Sequence, residues 1–449
     1  MGMINLPRKF PRELLSITLV FIGLFFFFRL QAPAETNAAQ RLSLSECISL
    51  AISNNPLFIS SMLSVEESQM KITEARSSCY PSLNLSADAD RFSTAKDGSG
   101  GGNGAYSSYS AGVAARYYLY QGGRKSGVFN AAESISQAAS HQHENNLQEL
   151  VLKVSQAYYR FLQAQHLEKA SLQALERAEY YLDFARARFE AGVVSRSDIL
   201  KAEVEKSNAD LSLIRARNTR LFILGSINVL LGRGPHLPLN VQDDLENIEL
   251  KGSLDFEALL SQAFRLRPEI KKMEAQLAAQ KSDIRIARSS FYPWVSADAG
   301  FNFSGLSLSG MKSGWFAGLS LDLPLFTGFA TKARVAQERI ALSALEKQMQ
   351  SLRLEIGFEV WNAYLDLKEA EERIDNTRVY LKNARENLAI SEGEYREGVG
   401  SMIEVIDAET TLVAAEESHI EALADFKIAL AVLDRVTGTS GYEGVQGDM

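Results

Sequence analysis

Two hydrophobic periods alternate along this chain. From about Lys125 to Glu190, and again from Thr331 to Arg396, apolar residues step by three and four. Val154, Tyr158 and Phe161 do so first, then Leu175, Ala178, Leu182, Ala185 and Phe189. That spacing is close to 3.5 residues, the mark of helices packed as coiled coils, and helices of this length extend roughly 100 Å. A returning helix is predicted beside each, over Ser197–Leu231 and Ser401–Val436, after a short turn containing Gly. Ahead of each long helix the period changes to two. Leu83, Leu85, Ala87 and Ala89 alternate with Asn84, Ser86, Asp88 and Asp90, and Tyr109, Ala111, Val113, Ala115 and Tyr117 alternate with small and polar residues. Val295, Ala297, Ala299, Phe301 and Phe303 repeat the pattern, as do Trp315, Ala317, Leu319, Leu321 and Leu323. Each segment has the length of a tilted membrane-spanning β-strand. Tyr80, Tyr117, Tyr118, Tyr120, Tyr292, Trp294 and Phe326 at their ends suit an interfacial girdle. Alternation alone also fits a soluble sandwich. Four strands are few for that, and they cannot close a barrel around a channel, so a membrane role requires several chains.

The pattern occurs twice. Asn55-Pro56 precedes Tyr80-Pro81 as Arg267-Pro268 precedes Tyr292-Pro293, at an offset of 212 residues. Gly122, Ala157-Tyr158, Phe189, Gly192-Val193, Ala202-Glu203 and Gly232 recur 206 residues later. The difference falls at the glycine-rich segment from Lys96 to Gly104, where a surface loop tolerates a length change. The expected organisation is a first repeat over 35–250 with a hairpin at about 82–120, a second over 251–440 with a hairpin at about 294–326, and a tail over 441–449. Each repeat reads as a helix (near Ser43–Ser78 and Leu254–Ser290), a hairpin, a long helix and a return helix. Residues 1–34 read as a cleaved signal peptide: Arg8, Lys9 and Arg12, an apolar run from Leu14 to Phe28, then Ala32-Pro33-Ala34. The apolar run is short for an uncleaved anchor.

Composition narrows the chemistry. The 449 residues are 46% hydrophobic and 23% charged, with a formal net charge of −8. Cleavage after Ala34 would remove four basic residues and one acid, leaving −11. An acidic chain without basic clusters excludes nucleic acid as the main partner. Cys47 and Cys79 are the two cysteines. On one continuous helix they would lie about 48 Å apart, so two free thiols are expected. His141 and His143 point in different directions on a helix and make no metal site. No nucleophile, metal or phosphate-binding motif is present, so the sequence supports neither an enzyme nor a cofactor.

The duplicated unit, the Tyr-Pro before each hairpin, LYQGG and LFTGF after it, and the turns EAGVVSRSDILKAE and REGVGSMIEVIDAE resemble the TolC-type outer-membrane efflux proteins. The similarity runs from about Arg41 to Gly438. It implies an α+β membrane protein: a homotrimer with four strands per chain forming a twelve-stranded transmembrane β-barrel, continued by a long periplasmic α-helical barrel. It also implies the role of exit duct for a tripartite efflux or type I secretion system. The partners would be a periplasmic adaptor (membrane fusion) protein, an inner-membrane pump of RND, ABC or MFS type, and outer-membrane lipid. The alternative is a soluble periplasmic coiled-coil scaffold or adaptor.

The resemblance also assigns a gate. Acidic residues ringing the closed periplasmic aperture fall on Glu404 and Asp407. Ser401 to Glu404 is also a capping box, and carboxylates suit a first helical turn without any gate. A tyrosine and an arginine on the second turn of the family reach an aspartate on the first. Tyr395 and Asp198 match two of these, but Gly400 stands at the arginine position, leaving Arg196 as a substitute. Tyr395 reads equally as a coiled-coil residue, its repeat mate being Phe189. Gly192-Val193 and Gly398-Val399 match the adaptor-docking tips, although Gly also simply terminates helices.

Overall fold

The computed structural model describes residues 41–93, 105–248 and 254–439. The signal-peptide, loop and tail expectations (1–34, Lys96 to Gly104, 441–449) lie outside the described residues. Two short helices begin the described chain, α1 (Leu44–Asn54) and α2 (Pro56–Ser77), followed by β1 (Ser82–Ser93) and β2 (Ala105–Gln121). Then come α3 (Arg124–Glu190) and α4 (Arg196–Leu230). The order repeats as α5 (Phe256–Leu266), α6 (Pro268–Ser289), β3 (Trp294–Gly305), β4 (Lys312–Asp322), α7 (Ala330–Glu397) and α8 (Met402–Val436). No described helix is by itself long and apolar enough to cross a membrane.

The single helix expected near Ser43–Ser78 is two helices bent by 54°, and Leu254–Ser290 is likewise divided. Proline removes the amide hydrogen and pushes the preceding residue out of helical geometry. Asn55 therefore sits at ψ 117° and starts α2 as its N-cap, its Oδ1 accepting from Leu57 and Phe58 at 3.0 and 3.2 Å. The ~48 Å cysteine spacing, which assumed a continuous helix, does not apply. Cys47 is nevertheless buried, Cys79 exposed, and both are free.

The four strands form one antiparallel sheet in the order β1-β2-β3-β4. The register aligns Leu85, Val113, Phe301 and Trp315, and likewise Ala87 with Ala111 and Phe303. All four alternating apolar sets thus share one face, as the period of two requires. Asp88, Ser110, Arg116, Asp298 and Ser320 share the other. There Arg116 pairs with Asp298 at 2.5 Å, and Ser296 donates to Asp298 at 2.8 Å. No described helix covers either face. Leu83, Leu85, Trp315, Leu319 and Leu321 are 70–79% exposed. β4 stops at Asp322 while β2 continues to Gln121, because Pro324 occupies the position of its repeat mate Tyr118 and cannot donate to the ladder.

Below the sheet the long helices form two hairpins, α3 with α4 and α7 with α8. Buried residues follow the expected seam: Ile356, Val360, Ala363, Leu367, Ala370 and Ile374 on α7, and Phe426, Ala429, Leu433 and Val436 on α8. Two apolar cores result. The larger surrounds Tyr158, Phe161, Ile227 and Phe426; the other surrounds Leu182, Leu388, Met402 and Val405 near the helix ends. Between them the seam is polar, with Thr377 Oγ1 3.1 Å from His419 Nδ1. A polar residue at a seam position fixes register at a cost in stability.

Candidate functional site: the helical tips

The turns joining the hairpins bring the predicted residues to one end of the chain. α3 ends at Ala191, where Gly192 adopts φ +74°. α7 ends at Gly398, φ +81°. Left-handed geometry costs most L-residues ~1–2 kcal/mol, which is why glycine closes both helices. Val193 and Val399 project from these turns, 61% and 81% exposed.

After the second turn, Glu404 folds back to accept from the Ser401 amide at 2.7 Å. That bond holds its carboxyl below its ordinary value, so the capping role read from Ser401 to Glu404 is realised. Ser195, at the start of α4, makes no side-chain cap. Asp407 is exposed one turn on. Its carbonyl accepts from Thr411 Oγ1 at 2.8 Å.

Tyr395 is 3% exposed and packs in the core of the tip. Its repeat mate Phe189, which the spacing placed on the seam, is 42% exposed. The Tyr395 hydroxyl is buried and makes no hydrogen bond to any described residue, so the expected link to Asp198 is not formed. Burial and the nearby Asp198 charge raise the phenol's pKa. Asp198 pairs with Lys201 at 3.9 Å, and Arg196 is exposed.

A residue that the sequence reading did not single out occupies the junction. Arg188, in the last turn of α3, donates from Nη1 to the Tyr395 carbonyl. Its guanidinium carbon lies 4.9 Å from the centroid of the Tyr395 ring. Two turns earlier, Tyr181 donates to Glu392 of α7. Further along α8, Glu409 is buried with Oε1 2.7 Å from Arg177 Nε, and Arg177 also reaches Glu416 at 3.5 Å. Among the described residues no group of His, Cys, Asp and Glu could hold a metal ion.

The Outer membrane efflux protein family matches residues 47–233 and 259–439. Protein CyaE of Bordetella pertussis is 26% identical over 422 residues, covering 93% of this chain and 88% of that one. Outer membrane protein OprJ of Pseudomonas aeruginosa is 26% identical over 427 residues, covering 89% and 85%. Outer membrane protein TolC of Escherichia coli is 22% identical over 421 residues, covering 90% and 84%. Among solved structures, the outer-membrane channel OprN superposes with a TM-score of 0.78 at 21% identity, covering 88% of this chain and 90% of that one. The MtrE outer membrane channel of Neisseria gonorrhoeae gives 0.75 at 22% identity, covering 88% of each. A four-stranded sheet exposed on both faces, long coiled-coil hairpins in duplicate and family matches over both halves lead to one conclusion: the chain belongs to the outer membrane efflux protein family.

Proposed function

We propose that three copies of this chain close a twelve-stranded barrel in the outer membrane and a helical barrel in the periplasm. Together they would form the exit duct of a tripartite efflux or type I secretion system. The observation that carries this reading is the set of faces one chain leaves unmatched. Within the chain the two repeats meet through β2 on β3 and α3 on α6, with Gly122 so close that a Cβ would lie 2.6 Å from Ser289 O and Tyr292 Cβ. The second repeat offers the same features outward. Among the described residues β4 is an open edge, α7 has α6 on one side but no such helix on the other, where α3 has both α2 and α6, and a Cβ at Gly328, the mate of Gly122, would meet nothing within 4 Å. The edge of β1 and Tyr80, 72% exposed, are the first-repeat counterparts that a neighbouring copy would present. Repeating one junction around an axis pairs every strand edge, which a spanning sheet requires. Twelve strands leave a lumen. The face bearing Leu83, Leu85, Leu319 and Leu321 then meets lipid, and the face bearing Arg116 and Asp298 lines water.

At the tips, Glu404 and Asp407 from three copies would ring the aperture and favour cations. Asp198 and Tyr395 lie on the opposing helices of the gate, and Gly192-Val193 with Gly398-Val399 form the surface for a periplasmic adaptor coupled to an inner-membrane pump. Glu404→Gln and Asp407→Asn combined in the purified trimer test the aperture. Gln can still accept from the Ser401 amide, so the helix start survives. The expected outcome in planar lipid bilayers is weaker cation preference and weaker block by divalent cations. Selectivity equal to the wild type would overturn the aperture assignment.

A further inference from the structure

The two hairpins of a chain are joined at their tips by side chains of α3 reaching α7. Arg188 is the last of them and the most engaged. It donates to a carbonyl in the final turn of α7, where the helix dipole favours a cation. Its guanidinium carbon lies 4.9 Å from the centre of the Tyr395 ring and 5.8 Å from that of Phe184. Phe184 meets Tyr395 edge-on at 5.8 Å, so charge and rings form one assembly. Gly398 leaves room for it, since a Cβ there would lie 3.3 Å from Arg188 Nη2. Of the other arginines nearby, Arg177 reaches Glu409 and Glu416 of α8, further from the turns, and two others do not cross to the second hairpin. Arg186 pairs with Glu203 at 3.1 Å and Asp183 at 3.7 Å inside the first hairpin, and Arg196 is exposed.

We propose that Arg188 is the positioning residue that holds the periplasmic gate shut. By holding the end of α7 against α3 it fixes the turn from Gly398 to Ser401, which delivers Glu404 and Asp407 to the axis. Two features set this link apart from a carboxylate latch. The guanidinium comes from the first hairpin, and its partners are a backbone carbonyl and two ring faces. The proposal rests on the duct reading.

Single-channel recording of the full trimer in planar bilayers tests it, with the wild type, Arg188→Ala, Arg188→Gln, Arg188→Lys and Arg186→Ala compared. Losing a charge-assisted hydrogen bond should raise the open-to-closed ratio about tenfold in the Ala and Gln variants. The lysine variant, which keeps the charge but not the planar fork, should fall between them and the wild type. Arg186→Ala should behave as the wild type. Ala and Gln variants that open no more than the wild type would overturn the proposal, as would Arg186→Ala opening equally. Arg188→Gln keeps the test valid if the alanine variant does not assemble. A wild type that forms no channels would overturn the duct reading, and the latch with it.

Discussion

Gly232 shows how much a single position can carry. Its φ is +69°, and a Cβ would lie 2.4 Å from the carbonyl oxygen of Asn54, where α1 breaks before Asn55-Pro56. At its repeat mate Gly438, φ +78°, a Cβ would lie 2.9 Å from Leu266 Cβ at the matching break. Each return helix is thus closed by a glycine seated against the kink of its own repeat. A Cβ at Gly192, at φ +74°, would meet nothing within 4 Å among the described residues. Gly192→Ala should therefore cost only the left-handed penalty, ~1–2 kcal/mol. Gly232→Ala adds a backbone clash and should cost about 3 kcal/mol or more. Apparent melting temperatures of the detergent-solubilised trimers check this; equal losses would contradict the contact. The glycines were visible in the sequence as repeat mates, but the carbonyl each one meets was not. Phe329 differs: it holds φ +65° where the first repeat has Gly123, and only coordinates reveal that a phenylalanine sits in that geometry.

At the scale of elements, period proved more informative than composition. A period of two placed four apolar sets on one sheet face, and a period of 3.5 gave the seams of α7 and α8. What the period missed was punctuation. Asn55-Pro56 and Arg267-Pro268 served as repeat markers, yet the same prolines break the first helix of each unit. The seam at the tip likewise conceals an ionisable core. Glu409 is 2% exposed, and burial pushes its carboxyl above the ordinary 4.5, with Arg177 pulling down and Glu416 and Glu205 pushing up. The folded chain therefore holds this proton more tightly than the unfolded one. The destabilisation is absent below the ordinary value and sets in as pH rises through the raised one. Glu409→Gln removes that titration. The melting temperature of the variant relative to the wild type should be higher at neutral pH than at about pH 4, where Glu409 is protonated in both states. A difference independent of pH would contradict the assignment.

Arg188 marks the limit of reading residues in order. Two hundred and seven positions separate it from Tyr395, and no local motif links an arginine in one coiled coil to the end of another. The sequence did point to Tyr395, Asp198 and Gly400. It could not indicate that the Tyr395 phenol would be buried out of reach of Asp198, or that a guanidinium from the opposite hairpin would occupy the junction. Gly398 was a faint signal, a residue without a side chain where that guanidinium passes.

For the whole molecule, the exposed apolar surface is the guide. On the helices, Phe222 on α4 is 78% exposed, and Leu354 and Phe358 on α7 are 77% and 65% exposed. Inside one chain α8 rests on α3. The repeat of that junction would place α4 of one copy against α7 of the next, covering these residues. On the proposed reading, a chain with two open strand edges and apolar residues on its outer helices is a third of an object, and stability at this scale belongs to the assembly. Native mass spectrometry of the particle extracted from outer membranes in mild detergent measures this directly. Three chains per particle are expected, with no folded monomer surviving dilution; a stable folded monomer, or a different number of chains, would overturn the trimeric duct.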